Sequence, residues 1–358
     1  MPAGLPRVVI TEEALREGMQ IENAAITVDQ KLRLLDAIAA SGLSRIVVGS
    51  FVSPKWTPQM AAIDELVSRL QPRPGVEYLA LALNDKGRER MRKWSPPLTL
   101  ERGLPETHGH LCDIFVKRNT NRTAEEYEAG WPEIVERAAR DGVAAAGIGL
   151  SSAWGSNWRG AFSFEQRLAL LERQAALWEA RGIRVAQLTL ADPMGWNMPH
   201  AVAADLRRLT ARWPSVERVR LHLHDQRGMA LTSIYAAVTA LEPRHTLDVD
   251  ASVGGIGGCP YCGNGRAAGM APTEDLVQML EAMGVATGVD LDKLVEAAHV
   301  AADILGRPLH GRVAYAGPLP RGDRLYPRSL PLVETFEQAQ HFRLGEEVTA
   351  GQPRPWEE

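Results

Sequence analysis

Along the chain, short runs rich in β-branched and other apolar residues alternate with longer stretches whose apolar positions recur at helical spacing. Eight such runs stand out, at 7–11, 45–50, 76–83, 109–116, 143–150, 184–190, 218–224 and 246–252. Their length and composition predict buried strands, and the stretches between them predict amphipathic helices. In "TVDQKLRLLDAIAASG", Thr27 is placed to cap a helix and Gly42 to stop it. "TAEEYEAGWPEIVERAARDG" reads as another helical stretch. Eight strand-plus-helix repeats predict a (β/α)₈ TIM barrel, a fold that typically takes about 250 residues. An open doubly wound sheet is the rival. It would show fewer strands and a glycine fingerprint after the first, and "EEALREG" is no such fingerprint. The barrel is expected over 1–306, with a C-terminal helical or irregular extension over 307–358 that ends frayed. Arg321, Asp323, Arg324 and Tyr326 lie among prolines in that extension, which reads as a lid, a dimer arm or surface-docked chain.

Composition narrows the partners. The 358 residues carry a formal charge of -4 and a pI near 6.2, which leaves no global basic footprint for nucleic acid or anionic membrane. No uncharged stretch approaches the roughly 20 residues a bilayer requires. A soluble cytoplasmic protein acting on a small molecule is the expectation. Three cysteines, Cys112, Cys259 and Cys262, make no disulfide framework, in keeping with a reducing compartment.

In a barrel, chemistry gathers at the C-terminal ends of the strands. Arg16 and Glu17 follow the first run, "SFVSPKW" the second, Asp192 the sixth, His222 and His224 close the seventh, and "GGIGGCPYCGNG" follows the eighth. Residues two apart on a strand share a face, so His222 and His224 project together, either onto one metal ion or into a polar hydrogen-bonded mouth. Glu17 is the candidate oxygen ligand, and Asp225 beside the pair favours the metal. Asp192 suits an active-site carboxylate or a turn. Arg16 suits an oxyanion holder or an ion pair with Glu17 or Glu12. The glycines of 254–265 allow a tight loop over a ligand that presents Cys259. Its C-P-Y-C also matches a dithiol motif or half a zinc site, yet no second C-x-x-C completes four thiolates.

Taken together, "LREGMQIE", "GLSRIVVGSFVSPKWTPQM", "LTLADPMG", "RLHLHDQRGMAL" and "GGIGGCPYCGNG" with "TEDLVQMLEAMGV" resemble the 3-hydroxy-3-methylglutaryl-CoA lyase (HMG-CoA lyase) family of metallolyase barrels, over about residues 7–306. The resemblance implies retro-Claisen cleavage of a 3-hydroxy acyl-CoA to acetyl-CoA and a keto acid, with Mg²⁺ or Mn²⁺. It implies metal ligation by His222, His224 and the residue at 17. Arg16 would steady the enolate oxygen, Asp192 would be the active-site aspartate, a base near His222 or Asp192 would take the hydroxyl proton, and Cys259 would protonate the departing carbanion.

Four departures from the family pattern qualify the site. Glu17 replaces an aspartate ligand, and Met270 stands where the family has an asparagine ligand. The family's glutamate near the end of the second strand falls on Val47. The loop is about two residues longer by its cysteine-to-"TED" spacing, and Asn264 is its candidate metal ligand. These changes suggest a related reaction on a less polar or bulkier acyl group. Two alternatives stay open: a condensing synthase acting on a 2-oxo acid, and a non-catalytic acyl-CoA-binding paralogue. A homodimer or higher homo-oligomer is expected.

Overall fold

The structure is a computed structural model that describes residues 4–100, 103–262 and 269–356. Eight strands lie parallel in one sheet: β1 (Arg7–Glu12), β2 (Arg45–Ser50), β3 (Glu77–Leu81), β4 (Glu106–His110), β5 (Ala145–Ser151), β6 (Arg184–Asp192), β7 (Arg218–Leu223) and β8 (Thr246–Ala251). Hydrogen-bonded neighbours run β3-β2-β1-β8-β7-β6-β5-β4, which is chain order with the last strand brought beside the first. β1 and β8 pair from Arg7 with Thr246 to Glu12 with Ala251. With helices between the strands, this is the (β/α)₈ barrel that the periodicity predicts.

The pattern of side chains follows the pleat. Ile46 and Val48 on β2 are fully buried under the helices, while Arg45 on the other face reaches Asp248 of β8 across the interior. The N-terminal half of that interior is ionic: Arg218 pairs with Asp248, and Arg45 with Glu77. A cavity of about 1410 Å³ opens there, with these residues among its walls. At the other end, Glu12 ties β1 to the loop and helix that come after β8. Its carboxylate accepts from Ala14 N (2.8 Å), Val253 N (3.0 Å) and Thr273 Oγ1 (2.5 Å).

Thr27 caps the helix Val28–Ala40 through a capping box with Gln30, and Gly42 beyond its end takes a φ of 89°. Two expectations need correction. The fourth strand is Glu106–His110, and the second half of the 109–116 run belongs to the helix Asp113–Thr120, begun by the Cys112 thiol accepting from Phe115 N. A short apolar run does not by itself separate a strand from a buried helix. The stretch 123–142 is two helices, Ala124–Glu128 and Trp131–Arg140, because Pro132 suits a first helical turn and cannot continue a preceding one.

The chain divides into two compact units, Met1–Gly317 and Pro318–Glu358. The first runs past residue 306 because the Asp275 carboxylate accepts from Arg312 N (3.0 Å) and Val313 N (2.7 Å) at the start of the helix Arg312–Ala316. The second consists of turns and the short helix His341–Leu344, and is cross-tied where Leu332 N donates to Pro353 O (2.8 Å). No helix among the described residues is long and apolar enough to cross a membrane.

Candidate active site

β1 ends in a wide helical turn, Ala14–Gly18, in which Gly18 N donates to Glu13 O at 3.0 Å. The turn swings Arg16 and Glu17 over the C-terminal mouth. Arg16 Nε donates to Glu13 Oε2 at 2.7 Å, and its other arm bonds Glu17 Oε2. The sequence offered Glu17 or Glu12 as the arginine's partner; it is Glu17 together with Glu13, while Glu12 serves the loop after β8. Burial opposes charge on Arg16, yet Glu13 and Glu17 more than compensate and hold it protonated. Burial also pushes Glu17 up, but Arg16, then His224 and His222, bring it below its ordinary range.

Across the mouth, His222 and His224 stand with ring centroids 5.2 Å apart, and His224 Nε2 lies 3.6 Å from Glu17 Oε1. Asp250 of β8 takes His222 Nδ1 at 2.9 Å, which turns the other ring nitrogen away from that partner. Asp250 also accepts from Arg220 Nη2, at 3.1 and 3.2 Å. Burial raises its pKa, but Arg220 and then His222 outweigh that and keep it well below the carboxylate range. Asp192 is fully buried at the end of β6. Its Oδ2 accepts from Asn197 N (2.6 Å) and Asn197 Nδ2 (2.8 Å), and its Oδ1 has no partner among the described residues. Burial dominates these bonds and pushes Asp192 up to about 6. Asn197 Nδ2 also donates to His224 O at 3.1 Å, which locks the ends of β6 and β7 together. Asp225 belongs elsewhere, since its Oδ1 accepts from Ala230 N (2.7 Å) at the start of the helix Ala230–Ala240.

The glycine loop lies directly on the β1 turn. A Cβ on Gly257, whose φ is +113°, would stand 2.8 Å from Glu17 O, and one on Gly18 would stand 2.8 Å from Ile256. Gln20 Nε2 reaches Gly258 O at 3.4 Å. Cys259 is half-buried and reduced; Cys262, buried, donates to Pro193 O at 3.0 Å. Cys259 beside it, then burial, Glu17 and Asp192, push the Cys262 thiol up. Met270 is fully buried and its backbone bridges to His224. Asn264 lies outside the described residues.

Val47 and Leu79 pair in register on β2 and β3 as an apolar stretch of the barrel interior, with Leu79 also bordering the N-terminal cavity. The wall across the barrel carries groups that sequence reasoning missed on β4: His108 and His110 toward the mouth, and Glu106 below them at the border of the N-terminal cavity. Their signal was present as "ETHGH", the same alternate-histidine pattern as "LHLH", but it is lost when the fourth strand is placed too late. Asp250 and Glu13 were missed as well, because a carboxylate that orients another side chain has no local signature.

Two imidazoles and one carboxylate form a donor set suited to a divalent cation. Donors sharing an ion at about 2.1 Å each can stand up to about 4.2 Å apart, which the separation of Glu17 and His224 satisfies. The Asp250 bond to His222 is the outer-shell contact that such ligands usually make. Among the described residues no three or more acidic, histidine or cysteine side chains stand, as placed, where together they could hold a metal ion, so His222 and Glu17 would have to draw in toward His224 on binding. Met270 supplies no hard oxygen there.

Comparison with known proteins agrees with this geometry. The model of the HMGL-like family matches residues 7–301. A 3-hydroxy-3-isohexenylglutaryl-CoA/hydroxy-methylglutaryl-CoA lyase of Pseudomonas aeruginosa is 34% identical over 318 residues, covering 87% of this chain and 98% of its own. An (R)-citramalyl-CoA lyase of Chloroflexus aurantiacus is 32% identical, covering 87% and 95%. The structure of an HMG-CoA lyase from Acinetobacter baumannii in complex with coenzyme A and 3-methylmalate is 29% identical, with a TM-score of 0.70 and coverage of 90% and 97%. With the barrel, the paired histidines of β7 and the arginine-glutamate turn after β1 in place, this chain belongs to the HMGL-like family.

Proposed function

We propose that the protein is a divalent-metal-dependent carbon-carbon lyase that cleaves a 3-hydroxy acyl-CoA, 3-hydroxy-3-methylglutaryl-CoA or a relative, to acetyl-CoA and a keto acid. The observation that carries this reading is the meeting of Glu17, His222 and His224 beside Arg16 at the barrel mouth. The relatives, lyases of hydroxy acyl-CoA thioesters, support the reaction class. Membership of the family implies a divalent metal, and Mg²⁺ or Mn²⁺ suits a carboxylate with two imidazoles and open positions. When bound, the ion supplies Lewis-acid polarisation of the substrate's oxygens. Glu17, His222 and His224 would hold it, with Asn264 as a fourth candidate.

The remaining chemistry falls to the chain's own groups. Asp192, pushed up to about 6 with one oxygen unspent, accepts the proton of the substrate's 3-hydroxyl. The hydroxyl carbon becomes the ketone as the bond between C2 and C3 breaks, and its electron pair passes to the thioester enolate. Arg16, held protonated, stabilises the enolate oxygen, and Cys259 on the overlying loop returns a proton to C2 to give acetyl-CoA.

The test is Mn²⁺ binding and acetyl-CoA release from 3-hydroxy-3-methylglutaryl-CoA by wild type, Glu17→Ala and Glu17→Asp. Metal-dependent turnover that disappears in Glu17→Ala and persists in Glu17→Asp is the expected result. Metal binding without turnover discards this substrate and directs the search to other 3-hydroxy acyl thioesters. Failure to bind metal overturns the lyase reading in favour of a non-catalytic acyl-CoA binder.

A further inference from the structure

β4 repeats on the far wall what β7 does on the near one. Glu106, His108 and His110 face the interior, because Thr107 between them turns outward to Trp178 Nε1 (3.0 Å), and the open side of Gly109 meets Leu170 on the helix layer. His110 is level with Ser151 of β5, Ser151 with Ala191 of β6, and Ala191 with His222 of β7. Both histidine pairs therefore border the same mouth, separated by three strand spacings, on the order of 14 Å along the wall.

The β4 site is built rather than incidental. Gly149 makes room for it: a Cβ there would stand 2.4 Å from His108 Nδ1. Glu106 Oε2 accepts from Gln187 Nε2 (2.8 Å) and Thr189 Oγ1 (2.7 Å), and its Oε1 lies 3.3 Å from His108 Nδ1. His108 Nε2 is 3.3 Å from Ser151 Oγ. His110 is only 8% exposed, lies edge-on to Tyr127 at 4.7 Å, and has no partner on either ring nitrogen among the described residues. Two unspent nitrogens on one buried ring are costly unless a ligand takes them up.

We infer that the β4 cluster of His110, His108, Ser151 and Tyr127 is the recognition site for an alcohol carried on the 3-substituent of the acyl chain. This deepens the lyase reading and rests on it for the identity of the acyl-CoA. A neutral imidazole gives one hydrogen bond at one ring nitrogen and accepts one at the other, and a hydroxyl can meet either, donating to the bare nitrogen or accepting from the N–H. A purely apolar substituent would leave the His110 nitrogens unpaired. A carboxylate would feel the charge of Glu106, which stands behind His108 and is kept ionised by His108, Thr189 and Gln187 against the effect of burial. A chain bound near His222 reaches this wall only with a substituent longer than methyl, and the Pseudomonas aeruginosa relative is named for a long one, isohexenyl.

The test uses full-length protein and non-cleavable acyl-CoA analogues that lack the 3-hydroxyl and carry equal-length 3-substituents ending in alcohol, methyl or carboxylate. Calorimetric Kd values are measured for wild type, His110→Phe and His110→Asn, with ¹⁵N shifts of the His110 ring as a second readout. Wild type is expected to bind the alcohol at least about tenfold more tightly than the methyl analogue. That ratio should fall to about one in His110→Phe and be partly restored in His110→Asn, with the alcohol alone moving the ring resonances. Equal binding of all three, a preference for methyl or carboxylate, or a ratio that survives His110→Phe would overturn the inference. Failure of the lyase reading shows separately, as absence of turnover of the cleavable forms.

Discussion

A single carboxylate decides how His222 of β7 presents itself. Asp250, anchored by Arg220, holds His222 by Nδ1 and so fixes which nitrogen faces the mouth. Replacing Asp250 with Asn removes the charge and turns one of the two accepting oxygens, shared between Arg220 and His222, into a donor while keeping the size. Mn²⁺ affinity of Asp250→Asn, measured by calorimetry, should fall by about 10- to 100-fold with little change in the fold. The alternation that brings His222 and His224 to one face was legible from two residues of spacing. Asp250 was not, because its partner lies 28 positions earlier in the chain and meets it only when β7 and β8 pair. Arg16 gives the same lesson: a neighbouring acid was visible, but its second clamp, Glu13, depended on how the turn after β1 winds.

At the scale of elements, the loop after β8 and the turn after β1 form one surface. Gly257 lets the two backbones touch and occupies a conformation that an L side chain rarely adopts. Gly257→Ala should lower the unfolding free energy by about 1–3 kcal/mol and also weaken Mn²⁺ binding. Chemical denaturation and calorimetry on the same variant check both; a loss of stability with unchanged Mn²⁺ affinity would show that the loop does not position Glu17. The glycine-rich character of this loop was plain in the sequence, but its neighbour was not. The fourth strand shows the converse failure, in which a run apolar enough for a strand folds as a helix because Cys112 caps it and Phe115 and Val116 bury against the body of the protein.

At the scale of the whole molecule, pH acts through a buried carboxyl that ties the helix after β8 to the glycine loop before it. Glu274, on the helix Thr273–Ala282, accepts from Gly254 N at 3.0 Å, and burial pushes it from 4.5 up to about 8. The folded chain therefore keeps a proton that the unfolded chain releases above pH 4.5, and raising the pH toward 8 costs stability. The slope from this one group approaches about 1.4 kcal/mol per pH unit inside that window. Glu274→Gln keeps the acceptor and removes the titration, so its stability relative to wild type should rise steadily from pH 5 to pH 8 in denaturation curves (the interval lying within the window set by the two values). A constant difference across that interval would refute the assignment.

By itself, the sequence determined that eight strand-helix units close into a barrel, and that Arg16, Glu17, Asp192, His222, His224 and Cys259 lie at strand ends. Periodicity and spacing are local properties, and they survive in any chain read from end to end. Only the tertiary structure decided which acids clamp Arg16, that Asp225 caps a helix, that Asp250 steers His222, and that a second histidine pair with an unspent buried ring faces the mouth from β4. Those relations join residues far apart in sequence, through strand register and burial, and they come into being only when the sheet closes on itself.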